Sequence, residues 1–577
     1  MFTIRRLFII TLFLALLISV WLWWNHPHKV DMANYVPSDS LAYFEANDLS
    51  DIVEGMTETT AWKALAPPAG IRSDLGEVGW LSKIAAWTGI GTAETVVFSR
   101  AQIAVAVVGV SGTEPEEVAR FNPIKPRYAL VVETHCGESR VLAAIEKRIG
   151  SFAQRAYGNP QVEKKSANAA TWITWSAPSG TRKIITVVSG SVAIIGNDEE
   201  AVIKCLSASR REIPNLSGNK DLQSMRSRFS DNEYVAFGFI TQQGSALLFQ
   251  TLGMIYAAQA SGDPRALNIA ANILPQLTKK LFGPIGWSAR FTNGLVEDRY
   301  FLSTPNDVTT RLSAGFVTSS NIKLKAAQFL PSDAYSLTIY NNRSPHAAWR
   351  ALNLAIAAPL DVVGAAAVPI ILNAALRPYG IEDSEKFLQA IGPEIYTARL
   401  NGDDNDTITI VSIQDETSIR EFVKQKLRTQ SPITENIGNA TLLISPDPKR
   451  GAVSIVDGYL LMGNTEHLRL CLQAYANKSS LDTATSFQKS ADFAVNASSA
   501  NAVTITDDTV SARSLMLLFA TIRFAREKEP NPGEFEKAIK QLPYLVTETR
   551  LVETGFDRKT ISPFGQFGNL AVQYGTK

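Results

Sequence analysis

The 577-residue chain reads as an α+β protein: two tandem repeats of a largely antiparallel sheet with packed helices, behind one N-terminal transmembrane helix. Three observations predict this. One ordered series of strand and helix patterns occurs twice, opened each time by Pro-Ser-Asp before an apolar run, at Pro37-Ser38-Asp39 and at Pro331-Ser332-Asp333. Strand patterns arrive in hairpins and runs more often than one per helix, which favours antiparallel pairing over parallel crossovers. Residues 7–24 are uncharged and apolar, close to the ~20 residues that a helix needs to cross the hydrocarbon core.

Arg5 and Arg6 precede that run, and Trp21, Trp23 and Trp24 crowd its far end. The positive-inside bias then places the N-terminus in the cytoplasm and the bulk of a single-pass protein of the inner or plasma membrane in the periplasm or outside the cell. Asn25-His26-Pro27-His28-Lys29 carries no small-x-small cleavage site, so the segment reads as an anchor and not as a removed signal peptide. Residues 1–27 form the cytoplasmic tip and anchor, 28–35 a linker, 36–305 the first unit, 306–327 a second linker, 328–565 the second unit and 566–577 a tail. The second linker is placed where Pro305, Asn306 and Asp307 break the pattern.

In the first unit, 41–46 reads as a strand entered through a proline and a turn-forming aspartate. Helical patterns at 61–65 and 81–87 precede two Val-rich strands at 102–109 and 128–134, and Val141, Leu142, Ile145 and Ile149 then fall at helical spacing. Short strands follow at 170–175, 183–188 and 191–195, the last pair separated by Ser-Gly. Asn197-Asp198 opens a helix whose first turn carries Glu199 and Glu200, where the helix dipole favours them. A further helix, a strand at 234–240, two helices and a hairpin turning at Asn293-Gly294 complete the unit.

The same order returns after Leu330. Ala347 to Leu352 echoes 61–65, strands are expected at 394–400 and 407–413, and Ile419, Phe422, Val423 and Leu427 share a helix face. The hairpin through Asp457-Gly458 into Gly463-Asn464 matches 185–197 almost element for element, with Ser191 as one extra residue in the first copy. Helices, a strand at 502–505 and a terminal hairpin close the series.

At these residues the chain resembles membrane-anchored bacterial proteins that carry an extracytoplasmic domain of unknown function. The similarity lies in the anchor, the Pro-x-Asp before a strand ending in an aromatic, the glycine-bounded hairpin strands at 190–196 and 458–463, the short helix before a strand at 222–235, and the closing Asn293-Gly294 hairpin. It covers most of residues 36–565. The resemblance implies location and architecture, and it brings no catalytic, cofactor or metal residues with it.

Composition narrows the function further. With 19% charged residues, a net charge of +1 and no Lys/Arg blocks, the chain lacks the electrostatic footprint of a nucleic-acid binder. Three separated cysteines, Cys136, Cys205 and Cys471, offer neither a disulfide framework nor a Cys-x-x-Cys metal site. His-Glu-x-x-His, Gly-x-Ser-x-Gly, phosphate-loop and dinucleotide signatures are missing. Ser217-Gly218-Asn219-Lys220 and Ser230-Asp231-Asn232 imitate two motifs of penicillin-binding enzymes, but they lie too close together and no Lys-Thr-Gly accompanies them. Asp403-Asp404-Asn405-Asp406 has oxygen ligands but not the EF-hand pattern, and reads as a hairpin turn. Asp39 and Asp333 read as turn residues, and His135, His346 and His467 are dispersed. Residues 351–376 hold one charge, Asp361, but Pro359 and Pro369 interrupt them, so buried helices are expected there and not a second span.

These exclusions favour a membrane-tethered, non-enzymatic binding or scaffold module of the cell envelope. The alternatives are a carrier or chaperone of an apolar ligand such as lipid, and a hydrolase whose site is assembled from dispersed residues. The expected partners are the membrane, through the N-terminal helix, and an envelope protein or lipid; no cofactor is expected. The one candidate surface lies on the most apolar helix of each unit, 247–256 and 515–522, at Leu247, Phe249, Leu252, Leu515, Leu517 and Phe519. Both helices are apolar around more than one stripe, so burial on two sides is expected, or else one face lining a groove for lipid or an apolar segment.

Overall fold

The computed structural model describes residues 28–72, 85–86, 88, 91–111, 125–180, 182–230, 234–260, 264–319, 322–376, 379, 381–402, 406–429, 431–497, 499–521 and 527–574. The expected anchor, most of the expected helix at 81–87, Asp231-Asn232 and residues 403–405 lie outside them. Among the described residues no helix is long and apolar enough to cross a membrane. The class is α+β, and every strand pairing described below is antiparallel. Contacts divide the chain into two compact units, Met1–Glu58 with Arg72–Gly244 and Ser288–Phe291, and Thr59–Ile71 with Ser245–Trp287 and Thr292–Lys577.

The first unit is built on eight strands: β1 (Ala42–Ala46), β2 (Gln102–Ser111), β3 (Lys125–Glu133), β4 (Gln161–Ala167), β5 (Ala170–Ser176), β6 (Lys183–Ser189), β7 (Val192–Gly196) and β8 (Ala236–Ile240). They lie side by side in the order β4-β5-β6-β7-β3-β2-β1-β8. The β4–β5 turn uses Asn168 and Ala169, both at positive φ, the arrangement whose twist suits a two-residue hairpin. Helix Glu138–Tyr157 lays Val141, Ala144 and Ile145 against Val132, Ile173 and Trp175. Helix Glu199–Ser209 begins where Asp198 accepts from Ala201 N at 3.1 Å, with Glu199 and Glu200 in its first turn. A polar cluster fastens helix Lys220–Phe229 to β1. Arg226 Nη2 donates to Asp31 at 3.0 Å and to both oxygens of the buried Glu45 at 3.1 Å, while Tyr43 donates its hydroxyl to Glu45 at 2.6 Å.

After β9 (Ile285–Thr292), Asn293-Gly294 turns the chain into β10 (Leu295–Ser303), with both turn residues at positive φ as the dipeptide predicts. The second unit continues with β11 (Ser336–Asn341), β12 (Ile391–Arg399), β13 (Ile408–Ile413), β14 (Ile433–Ile437), β15 (Ala440–Ile444), β16 (Ala452–Val456), β17 (Tyr459–Gly463), β18 (Ala502–Thr506), β19 (Leu545–Val552) and β20 (Gly555–Ser562). Their order is β14-β15-β16-β17-β13-β12-β11-β18-β19-β20-β10. Leu337, Ile339, Ile410, Leu461, Val503 and Ile505 join Phe329, Leu468 and Phe487 in the main core of this unit.

Packing does not follow the boundaries drawn from sequence. β10 pairs with β20 through eight register positions, so it belongs with the second unit and not with the first. Residues 59–71 also side with the second unit, through Thr60 N to Gly294 O at 2.9 Å and Asn531 N to Pro68 O at 2.8 Å. The expected linker at 306–327 contains helix Asn306–Ser313, because Pro305 at its N-cap and Asp307 in its first turn start a helix where a break was expected. Its Val308 and Leu312 are buried with Leu281 and Ala355. The expected tail at 566–577 contains helix Gly565–Tyr574.

Residues 351–376 form two helices, Pro345–Ala357 and Val362–Leu376, parted at Asp361, whose carboxylate accepts from Gly364 N at 2.7 Å. The burial expected of them is corrected in part: Ala348, Ala351, Ala355 and Val368 are buried, but Leu354, Val362, Val363 and Ile370 are exposed. One side of each helix is enough to meet the core, and the apolar residues extend beyond it.

Candidate functional site

The site grows out of one cross-strand row in the second unit. Alternate residues of a strand face the same side, and the registers of β11, β18, β19, β20 and β10 place Thr338, Thr504, Thr547, Thr560 and Asp298 side by side. Thr338 and Thr504 share a hydroxyl hydrogen bond of 3.1 Å, and Thr547 and Thr560 one of 2.9 Å. The neighbouring positions Val503, Ile505 and Val546 face the other way, into the core. This part of the sheet is therefore apolar on one side and hydroxylic on the other.

Above the hydroxylic side lies a cavity of about 590 Å³, lined by Asp298, Tyr300, Thr506, Asp508, Gln566 and Phe249 among others. Two helix starts define it. Asp298 accepts from Gln566 N at 3.1 Å, in the first turn of helix Gly565–Tyr574, and from Trp287 Nε1 at 2.9 Å. Gly565 holds φ +59, and a Cβ there would fall 2.5 Å from Val296 Cγ1, so only glycine lets the helix start so close to β10. Asp508 immediately precedes helix Thr509–Thr521, and its carbonyl accepts from Ala512 N at 3.0 Å. Gly568 sets the two helices close together, since a Cβ there would lie 3.0 Å from Ser511 Cβ.

The two carboxyl groups are almost removed from water, Asp298 being 1% and Asp508 8% exposed. Burial pushes Asp298 up to about 6, against the pull of its hydrogen bonds from Trp287 and Gln566 N. Burial likewise lifts Asp508 to about 7, opposed by Ser511 and reinforced by the charges of Asp507 and Asp298. Asp508 Oδ2 has no hydrogen-bond partner among the described residues, which leaves a buried polar atom at the wall of a cavity. Near neutral pH Asp298 is mostly ionised and Asp508 partly protonated, and the wall presents them together with Asp507, Arg558, threonine hydroxyls, the Tyr300 phenol and the Gln566 amide, beside apolar Phe249, Ile285 and Leu545. No histidine or cysteine lines it.

The six candidate residues are divided by the structure. Phe249 lines the cavity and stacks on Phe282 at 4.1 Å between ring centroids. Leu515 is buried, Leu247 is half-buried, and Phe519 meets Trp62 edge-on at 4.9 Å. Leu252 and Leu517 are 52% and 56% exposed, as are, to a lesser degree, Leu248 and Leu518. The expectation of cover on two sides is thus corrected for the outer faces, because Leu515 and Met516 satisfy the core and Leu517 and Leu518 turn away from it. Leu517→Asp is accordingly expected to change stability by no more than about 0.5 kcal/mol, as at other solvent-facing positions, and a thermal melt checks it. Loss of folding would return Leu517 to the core.

The other singled-out residues fall elsewhere. Asp39 accepts from Lys204 at 3.0 Å on the surface. His135 meets Gln102 at 3.0 Å and His346 meets Glu385 at 3.3 Å, in different units. The three cysteines are buried free thiols, and burial pushes Cys205 up to about 12. Among the described residues no group of three or more His, Cys, Asp or Glu side chains is arranged to hold a metal ion. Sequence reasoning missed Asp298, Asp508, Tyr300 and Gln566. The available signal was Glu297-Asp298 inside a strand pattern, and Asp507-Asp508 opening an apolar helix of the second half. Comparison with family models, curated proteins and solved structures returns no match.

Proposed function

We propose that the protein is a membrane-tethered extracytoplasmic binding module of the cell envelope, and that its second unit takes a polar, hydroxyl- or amide-rich ligand with an apolar portion. The cavity over the threonine row carries this reading. Its carboxyl groups, hydroxyls, amide and the Arg558 guanidinium suit a hydrogen-bonding head, while Phe249, Ile285 and Leu545 suit an apolar stem. The exposed Leu252 and Leu517 lie on helices whose residues Phe249 and Ser511 line the same cavity. The tether rests on residues 7–24 and on the resemblance to anchored bacterial proteins.

We also propose that one α+β unit has been written twice. Adding ten to each strand number of β4-β5-β6-β7-β3-β2-β1-β8 gives β14-β15-β16-β17-β13-β12-β11-β18, the order of the second ladder. The isolated bridges Pro37 to Asn215 and Pro331 to Ser480 recur at corresponding places. Gly196 pairs with Ile185 as Gly463 pairs with Ala452.

Native mass spectrometry of the full chain, purified in mild detergent, tests the binding reading, which expects a stoichiometric small-molecule adduct. An alkaline phosphatase fusion after Lys577 tests the location: activity is expected, and activity of a cytoplasm-only reporter instead would overturn it. A hydrolase reading draws on the two raised carboxyl groups, which can supply acid–base chemistry near neutral pH. It expects Asp508→Asn to bind the ligand and accumulate it unchanged, whereas the wild type would release a cleaved product.

A further inference from the structure

A second cavity of the same unit holds a lysine with no acidic partner among the described residues. It has a volume of about 380 Å³ and is lined by Lys426, Lys449, Arg450, Thr409, Asn464 and Asp406 among others. Lys426 ends helix Glu416–Leu427 and is only 6% exposed. Its ammonium donates to Tyr379 O at 3.1 Å, which leaves two of its three N–H groups without a partner among the described residues. A buried ammonium normally acquires a carboxylate or loses its proton, because desolvation of an isolated charge is costly. Burial, with the charge of Arg450 alongside, does lower Lys426 to about 8.

Two further features point into the same space. Thr409 is 93% buried by its 7% exposure, and its Oγ1 has no hydrogen-bond partner. Arg450 is fixed in the wall: its Nη1 donates to Lys426 O at 3.0 Å, and its Nε lies 3.6 Å from Asp447. The short 3-10 turn Pro448–Arg450 that carries it is capped by Asp447 and stopped by Gly451 at φ +66. A Cβ on Gly451 would sit 2.1 Å from Gly463 O, so the turn is seated on the end of β17 in a position that only glycine allows. The site is therefore built before any ligand arrives. Among the described residues Asp406 is the one acidic side chain of the lining, and it accepts from Asn464 Nδ2 at 3.0 Å. Among the described residues three cations of the lining meet Asp406 and, beside Arg450, Asp447, and the excess is positive.

We propose that this cavity binds a phosphate group, carried by a small soluble ester or by a lipid head, with Lys426 and Arg450 supplying charge and Thr409 a hydroxyl donor. Two unused ammonium hydrogens, a guanidinium and a buried hydroxyl match the several acceptor oxygens of a phosphate, and the volume leaves room for what the phosphate is attached to. This site is separate from the threonine-row cavity, so its test does not depend on that reading.

The experiment follows thermal unfolding of the full chain in mild detergent, with inorganic phosphate titrated against chloride at constant ionic strength. A ligand that binds only the folded state raises the melting temperature in proportion to the logarithm of its concentration. The wild type is expected to show that rise, and Lys426→Met to keep its melting temperature without phosphate while needing at least ten times more phosphate for the same shift. Thr409→Val, which keeps the shape, is expected to weaken the response several-fold and serves if Lys426→Met does not fold. No phosphate-dependent shift in the wild type, or an equal shift in the variants, overturns the proposal. Glycerol 3-phosphate and nanodiscs containing phosphatidic acid separate the sources: saturation by the former assigns a soluble ester, and a shift with the latter alone assigns a lipid head.

Discussion

Asp508→Asn is expected to stabilise the protein above neutral pH by roughly 3–4 kcal/mol while leaving its stability near pH 4 almost unchanged. The folded chain holds the Asp508 proton up to about pH 7, whereas the unfolded chain releases it near the ordinary aspartate value of 3.8. Between these values the folded state binds more protons than the unfolded state, so stability falls as pH rises from about 4 through 7, and the slope vanishes above. Asp298 adds a similar decline that ends near pH 6. The two groups line one cavity and influence each other, so the wild-type profile reports the pair. Asparagine keeps the shape and cannot ionise, which removes the larger part of the decline. Thermal unfolding from pH 4 to 9 checks it; a wild-type melting temperature that is level or rises from pH 4 to 7 would contradict the burial of these carboxyl groups.

The second large effect is expected in the first unit. Arg226→Ala removes the cation in contact with Glu45, whose carboxylate is 5% exposed and is already lifted by burial. Truncating one partner of a buried ion pair leaves the other charge uncompensated, typically at a cost of about 3–5 kcal/mol. The guanidinium also lies 6.0 Å from the Tyr43 ring centroid and 5.7 Å from that of Phe237, so its packing is lost as well. A double-mutant cycle with Glu45→Gln separates the contributions: Gln at position 45 should recover a large part of the loss, because no buried charge then remains. A loss below about 1 kcal/mol for Arg226→Ala would show that Glu45 is protonated in the folded protein and needs no cation.

How much of this was legible in the sequence depends on which physical signal each part left there. Turns with a backbone requirement were readable: Asn293-Gly294 and Asp457-Gly458 both occupy the positive φ that their residue types predict. So were helix starts with a side-chain cap, such as Asp198. The apolar alternation of Val503, Ile505 and Val546 located a core face. The threonines between them, Thr504, Thr506, Thr547 and Thr560, gave the same pattern that a solvent face gives, and nothing local to them tells a cavity wall from open water. Helices Thr509–Thr521 and Gly565–Tyr574 make that difference, and the second of these was read as a tail. Asp298 and Asp508 are separated by more than two hundred residues, so their meeting depends on β10 pairing with β20, a long-range pairing that leaves no periodicity in the chain. Lys426 was hidden for a different reason: it lies on the last turn of an amphipathic helix, where a lysine is ordinarily solvated and favoured by the dipole.

The claim on which the functional reading rests is that the cavity over the threonine row is the binding site. Thr506 lines it from β18, so Thr506→Trp fills the space from its wall. Native mass spectra of the wild type and of Thr506→Trp, both purified in the same detergent, compare the site directly. The account predicts an adduct on the wild type that is absent from a folded Thr506→Trp; an adduct of equal occupancy on both would place the ligand elsewhere.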